Sequence, residues 1–456
     1  MISLTSMGKS KVTFFCTSCG SEAPKWTGQC TSCNSWNTLK EEIVHPKSRI
    51  YSSQDIEKQI SPIRISDISP ESASRIDMKN NELNRVLGGG LVSGSVVLVG
   101  GQPGIGKSTL MLQVALSSMD KILYVSGEES QDQIKMRADR LPANENQCYI
   151  YTGTDVDLIL KQAKKIEAQM MVIDSIQTLS SRLIDATAGS VTQVRECTAI
   201  LRQYAKDTGT PIFIIGHITK DGSIAGPKLL EHMVDVVLQF EGDQHYSYRI
   251  LRGLKNRYGS TDEIGIYSMT QQGLEEVANP SELLISQSDE VLSGSAISAS
   301  LEGQRPLLLE TQALVTPSVY GNPQRSTTGF DLRRLSMLLA VLEKRARLPF
   351  GQHDVFLNIA GGLKVSDPAV DMAIIVALIS SIQDVAVDRK SCFTGEVGLS
   401  GEVRAISRID QRIQEASRLG FTKIFIPSFS TESIVSKGPI QIVPISKVED
   451  LHQYLF

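Results

Sequence analysis

Short runs of β-branched and aliphatic residues alternate, along the middle of this chain, with stretches whose apolar positions recur at helical spacing. Residues 95–99, 121–125, 150–151, 170–173, 211–215 and 234–240 read as buried strands. Residues 109–116 read as a helix, and residues 82–87 as another that stops at Gly88-Gly89-Gly90. Such alternation predicts an α/β core, a mostly parallel sheet with helices on both faces. Near Ala278-Asn279-Pro280-Ser281 the pattern breaks and changes. Beyond it, residues 307–315 and 355–359 are strand-like, and a long helix is expected from about Asp331 to Ala346. Asp367-Pro368 opens a further helix, with Asp as cap and Pro at the first helical position. Val370, Ile374, Ala377 and Leu378 are expected to give it one buried face. Between about Val44 and Ser72 the Ser-Pro and His-Pro pairs mark a linker. The expected organisation is a small module at 10–43, a linker at 44–72, an α/β domain at 73–278 and an α+β domain at 285–456.

Composition narrows the class without naming a function. The chain has 456 residues, 41% apolar and 21% charged, with a net charge of −4. That is ordinary globular composition, and any nucleic-acid contact must be local rather than a global charge effect. No apolar run approaches the roughly 18 residues of a membrane span. The first residues lack the apolar core of a signal peptide, so a cytoplasmic protein with reduced thiols and no membrane partner is expected. Met7 is an alternative start.

Gly101-Gln102-Pro103-Gly104-Ile105-Gly106-Lys107-Ser108 changes the picture most. It is a complete G-x-x-x-x-G-K-[ST] phosphate loop between a predicted strand and a predicted helix that begins near Thr109. Glycines let backbone N–H groups turn toward a phosphate, and the helix offers its positive end. Lys107 can reach the β- and γ-phosphates of ATP, and the Ser108 hydroxyl can hold Mg²⁺. An acid is expected beside this loop. Asp174 closes the buried run 170–173, the place of a carboxylate that binds Mg²⁺ through water. Hydrolysis also needs a group to orient water. Glu128 and Glu129 follow the strand at 121–125, and Glu128 is the better placed.

Seven cysteines are present, and four of them fall as Cys16-x2-Cys19-x10-Cys30-x2-Cys33. Two C-x-x-C pairs in a reducing compartment predict a zinc ribbon with Zn²⁺ on four thiolates. So small a unit buries little core, so the metal would supply its folding energy. Trp26 and Trp36, the only tryptophans, are expected to pack on it.

Lys255-Asn256-Arg257-Tyr258-Gly259 is a basic segment with two readings from the residues alone. Its cations can neutralise the γ-phosphate of a neighbouring subunit, or they can contact DNA phosphates. The same segment carries a resemblance. Together with Leu87-Gly88-Gly89-Gly90-Leu91, the phosphate loop, 216–222 and the four-cysteine module, it resembles the bacterial DNA repair proteins of the RadA (Sms) family. These join a zinc finger, a RecA-like ATPase and a domain similar to Lon protease. Tyr258 stands where that family's KNRFG motif has Phe.

The resemblance implies a DNA-dependent ATPase of recombinational repair, a hexameric ring on single-stranded and branched DNA that drives branch migration and works with the RecA recombinase. It implies that Lys255 and Arg257 act across a subunit boundary and that His217 senses the γ-phosphate. In the Lon-like domain Ala369 stands where a serine nucleophile should be, and no lysine lies near Asp410. An ATP-dependent peptidase is therefore the weaker alternative. A zinc-dependent regulatory ATPase adaptor is another. Arg333-Arg334 and residues 344–347 are either DNA contacts or the polar face of a helix.

Overall fold

A computed structural model describes residues 11–16, 21–32, 34–44, 64–67, 75–142, 147–216, 229–242, 248–286, 290, 292–318, 322–434 and 439–455. Cys19, Cys33, His217 and most of the expected linker lie outside these. The chain divides into two compact units, one through Glu241 together with residues 247–276, the other comprising residues 242–246 and everything from Val277 onward. Among the described residues no helix is long and apolar enough to cross a membrane.

The first unit opens with a three-stranded antiparallel sheet of β1 (Lys11–Cys16), β2 (Glu22–Ala23) and β3 (Leu39–Val44). Its α/β part begins with β4 (Arg75–Ile76), α1 (Asn81–Leu87) and β5 (Leu91–Val92). Asn80 caps α1 through Leu83 N, and Gly88 ends it at φ 83°, the left-handed stop the glycine run predicts. Then come β6 (Val96–Gly100), α2 (Lys107–Ser117), β7 (Lys121–Ser126), α3 (Gln131–Ala138), β8 (Gln147–Thr152) and α4 (Val156–Ile166). They are followed by β9 (Met170–Asp174), α5 (Val191–Thr208), β10 (Ile212–Ile215), α6 (Leu229–Met233) and β11 (Val236–Glu241). Three strands close the unit: β12 (Tyr248–Asn256), β13 (Ile264–Thr270) and β14 (Gly273–Glu276).

β4 and β5 pair with each other, and β6 to β14 form a nine-stranded sheet in the order β14-β13-β12-β11-β6-β10-β9-β7-β8. From β11 to β8 every pairing is parallel, and β12 to β14 add an antiparallel tail. β6 and β9 are buried along their whole length because both faces are covered. One face carries the core around Val97, Val99, Leu110, Tyr124 and Phe213, and the other the core around Leu98, Val125, Ile159, Ile173 and Leu201. The α/β fold read from the alternation is thus the fold observed.

The second unit contains α7 (Pro280–Leu283), β15 (Ser295–Glu302), β16 (Arg305–Pro317), β17 (Arg325–Thr328), α8 (Leu332–Val341), β18 (His353–Ile359) and α9 (Asp371–Gln383). After them come β19 (Ser391–Phe393), β20 (Glu396–Val397), β21 (Val403–Arg404), α10 (Ile409–Arg418), β22 (Lys423–Pro427), β23 (Gln441–Ile445) and α11 (Val448–Leu455). Its mixed seven-stranded sheet runs β17-β18-β16-β15-β19-β22-β23. The helix expected from Asp331 to Ala346 is observed, α-helical to Val341 and π-helical over Leu342–Ala346. One expectation needs correction. The helix opened by Asp367-Pro368 begins as a 3-10 turn and is then buried on all sides from Asp371 to Ser380, not along one face.

Candidate nucleotide site

The phosphate loop leaves the carboxyl end of β6. Gly104 (φ 76°) and Gly106 (φ 115°) lie in the left-handed region that a Cβ disfavours. At Gly106 a Cβ would also come within 2.9 Å of Met269 Cε. No side chain caps α2, so the N–H groups of its first turn, from Lys107 through Ser108 and Thr109, are left for an anion. Lys107 is buried, and its Nζ donates to the carbonyls of Gly101 (2.8 Å) and Gln102 (2.9 Å). Burial pushes its pKa down to about 8, against the opposing pull of the Asp174 and Glu128 carboxylates. Lysine and two acids are therefore gathered in one place.

Asp174 ends β9, but β9 is not the neighbour of β6. β10 lies between them, so Asp174 reaches the site from two strands away. The Asp174–Ser175 peptide is cis. Asp174 Oδ2 accepts from the buried Tyr124 hydroxyl at 2.7 Å. The two glutamates are sorted by their partners. Glu128 Oε1 accepts from Ser175 Oγ at 2.7 Å. Glu129 is held by Arg137 on α3, Oε2 to Nη2 at 2.9 Å and Oε1 to Nη1 at 3.1 Å. Tyr124, Arg137 and Ser175 went unassigned in the sequence. The available signal was a tyrosine inside an aliphatic strand, since a buried hydroxyl needs a partner.

Lys255, Asn256, Arg257, Tyr258 and Gly259 are not part of this cluster. β12 runs antiparallel to β11, which places Asn256 opposite Val236 and hence at the amino end of β6. The loop lies at the other end of β6, about 13 Å along the strand from Val97 at 3.3 Å per residue. Lys255 Nζ donates to the carbonyls of Glu231 (2.6 Å) and Val234 (2.7 Å), at the end of α6. Arg257 Nη1 donates to Asp235 Oδ1 at 3.2 Å while the side chain stays half-exposed. Asn256 Nδ2 bonds the Leu87 carbonyl at 3.2 Å, and Gly259 packs on Gly88 with 3.3 Å between the Cα of one and a Cβ built on the other. The glycine run and the basic segment are therefore one structural unit.

In the N-terminal module Cys16 and Cys30 are buried, and Ser32 N donates to Cys30 Sγ at 3.4 Å. Asn34 adopts φ 58° just past the second pair, and its N–H bonds the Cys30 carbonyl at 2.9 Å. Buried sulfur receiving a backbone N–H fits a thiolate knuckle and so fits Zn²⁺. The tryptophans do not pack as expected. Trp26 and Trp36 are 57% and 69% exposed, because the core is Cys16, Cys30 and Leu39 backed by Phe14 and Ala23.

Comparison with known proteins agrees with these parts. Residues 14–41 match the rubredoxin metal binding domain, 62–223 the AAA domain, and 341–455 the Lon protease (S16) C-terminal proteolytic domain. The DNA repair protein RadA of Bacillus subtilis is 48% identical, with 97% of this chain and 98% of that protein covered. The chain belongs to the RadA family. Its RadA counterparts in Listeria monocytogenes (47% identical, 97% of this chain and 98% of that one) and Streptococcus pyogenes serotype M6 (45%, 99% and 100%) match as fully.

The Lon-like unit of this RadA family member has no serine at the helix opening. Ala369 is buried and its N–H bonds Asp367 Oδ1 at 3.1 Å. Where the sequence reading looks for a lysine, the structure puts Arg412 on α10. Arg412 is 1% exposed and donates to Asp367 Oδ2 (2.7 Å) and to the carbonyls of Ala299 (2.7 Å) and Ser407 (3.2 Å). Arg334 is committed to the buried carboxylate of Asp371, whereas Arg333, Lys344, Arg345 and Arg347 are exposed.

Proposed function

We propose that this chain is a DNA-dependent ATPase of recombinational repair, working as a hexameric ring on single-stranded and branched DNA and promoting branch migration alongside the RecA recombinase in the cytoplasm. One observation carries the ATPase reading: a buried Lys107 at an uncapped helix start, with Asp174 and Glu128 close enough to shift its pKa. In this reading residues 101–109 bind the triphosphate, and Lys107 steadies the charge that moves onto the leaving phosphate oxygens. Glu128, oriented by Ser175, positions the attacking water. Ser108 and Asp174 would hold Mg²⁺, which neutralises phosphate charge when bound. Cys16, Cys19, Cys30 and Cys33 would hold Zn²⁺, and His217 would report the γ-phosphate.

The distance along β6 supports a further step. Lys255 and Arg257 sit at the wrong end of the sheet to serve their own loop, so any catalytic role they have is played in a neighbour's site. Ring assembly supplies that neighbour. Peptidase chemistry is not assigned, because Ala369 offers no nucleophile. The test is steady-state ATP hydrolysis with and without single-stranded DNA, for the full chain and for Lys107→Ala. DNA-stimulated turnover that Lys107→Ala abolishes is expected. Turnover by Lys107→Ala at the wild-type rate would refute the assignment.

A further inference from the structure

We propose that Tyr124 and Arg137 are positioning residues that set which oxygen of Asp174 is presented to the metal. The inference rests on the reading of Asp174 as a magnesium-holding carboxylate and deepens it.

The polarity of the chain of bonds is what carries it. Arg137 Nη2 lies 3.2 Å from the Tyr124 hydroxyl oxygen. A guanidinium can only donate, so this contact makes the tyrosine oxygen the acceptor. The hydroxyl proton is then left to point the other way, and the Asp174 Oδ2 atom receives it at 2.7 Å. Arg137 Nη2 also stands 4.0 Å from the same Oδ2. Both interactions at the Asp174 side chain therefore fall on one oxygen. With Oδ2 so engaged, the proposal assigns Oδ1 to the metal. Tyr124 is fully buried, so its hydroxyl has no solvent partner to turn to.

Arg137 is itself pinned. It sits in the last turn of α3, a helix held at its start by a capping box between Ser130 and Gln133. Its side chain is 17% exposed and spans Glu129 on one side and Tyr124 on the other. One guanidinium thus draws Glu129 away from the site and orients Asp174 within it. That is the arrangement by which outer partners orient a metal-binding carboxylate, where loss of a partner typically costs about 10- to 100-fold in metal affinity or activity.

The test is metal binding rather than turnover. The full chain is loaded with the non-hydrolysable analogue AMP-PNP and titrated with Mn²⁺, with bound metal read by electron paramagnetic resonance. AMP-PNP affinity is measured separately in EDTA. For Tyr124→Phe and Arg137→Gln, the Mn²⁺ dissociation constant is expected to rise about tenfold or more, with metal-free AMP-PNP affinity and the melting transition unchanged. A merely structural role would move all three together and so overturn the inference. Should Tyr124→Phe fail to fold, Arg137→Gln carries the test from the partly exposed end of the relay. Wild-type Mn²⁺ affinity in a folded variant of either residue contradicts the proposal. Absence of metal-dependent AMP-PNP binding in the unaltered chain would remove the Asp174 reading and this inference with it.

Discussion

Arg257 is paired with Asp235, a buried carboxylate whose other oxygen accepts from the backbone N–H of Val96 at 3.0 Å. Val96 is the first residue of the strand that ends in the phosphate loop. The basic segment is thus joined to the amino end of β6 while the nucleotide site occupies the carboxyl end. A parallel α/β sheet places ligands at its carboxyl edge, so residues joined to the opposite edge have no route to their own site.

The two glutamates after β7 should separate cleanly. Glu128→Gln is expected to lower kcat by about 100-fold or more while ATP still binds, since a positioned base contributes on that order. Glu129→Gln should leave kcat much nearer wild type, because Glu129 is occupied by Arg137. Single-turnover hydrolysis with equilibrium binding distinguishes them. Equal losses would remove the assignment of Glu128.

Nucleotide binding should depend on pH through Lys107, whose pKa burial lowers to about 8. A bound triphosphate restores the ammonium, so above that pH binding takes up a proton and affinity falls, by up to about tenfold per unit. Well below it the lysine is already charged and affinity is flat. Calorimetry at about pH 9 in buffers of different ionisation heat measures the proton uptake. Lys107→Arg should abolish the uptake, because a guanidinium stays charged.

Zinc content should be one per chain and should fall in Cys30→Ser. Chelation should unfold the module, since the metal provides its folding energy. Because Trp26 and Trp36 are confined to this module, their fluorescence reports the event. Elemental analysis finding no zinc would dismiss the reading.

In the Lon-like unit, Arg412→Leu should be costly. It leaves Asp367 without its buried cation, and breaking such a pair typically costs about 3–5 kcal/mol. Denaturant unfolding of the full chain, followed by probes in the C-terminal unit, should show that loss. Loss of under about 1 kcal/mol would mean the pair is not structural.

Much of the α/β core was legible because buried parallel strands write themselves as continuous apolar runs. Residues 170–173 and 211–215 are examples, and α1 announced its own end through Gly88. The sheet order was not legible, since nothing local in 212–215 says that it inserts between β6 and β9. Nor was the all-round burial of α9, which depends on how β15 and β16 cover it. In the site, the phosphate loop was readable because its chemistry is contiguous. The Glu129–Arg137–Tyr124–Asp174 relay was not, because Tyr124 and Asp174 are 50 residues apart and meet only through strand pairing. Nor was Arg412 legible, because the buried cation is an arginine bonded to a carboxylate 45 residues earlier, a separation that no local pattern spans.

The most direct test of the account is Arg257→Ala. Its DNA-stimulated kcat and its equilibrium ATP affinity should be measured on the same assembled preparation, with oligomeric mass confirmed unchanged. An arginine that completes a neighbour's site predicts a fall in kcat on the order of 10³ or more, with ATP affinity unaltered. Hydrolysis at the wild-type rate by the assembled Arg257→Ala protein would contradict it.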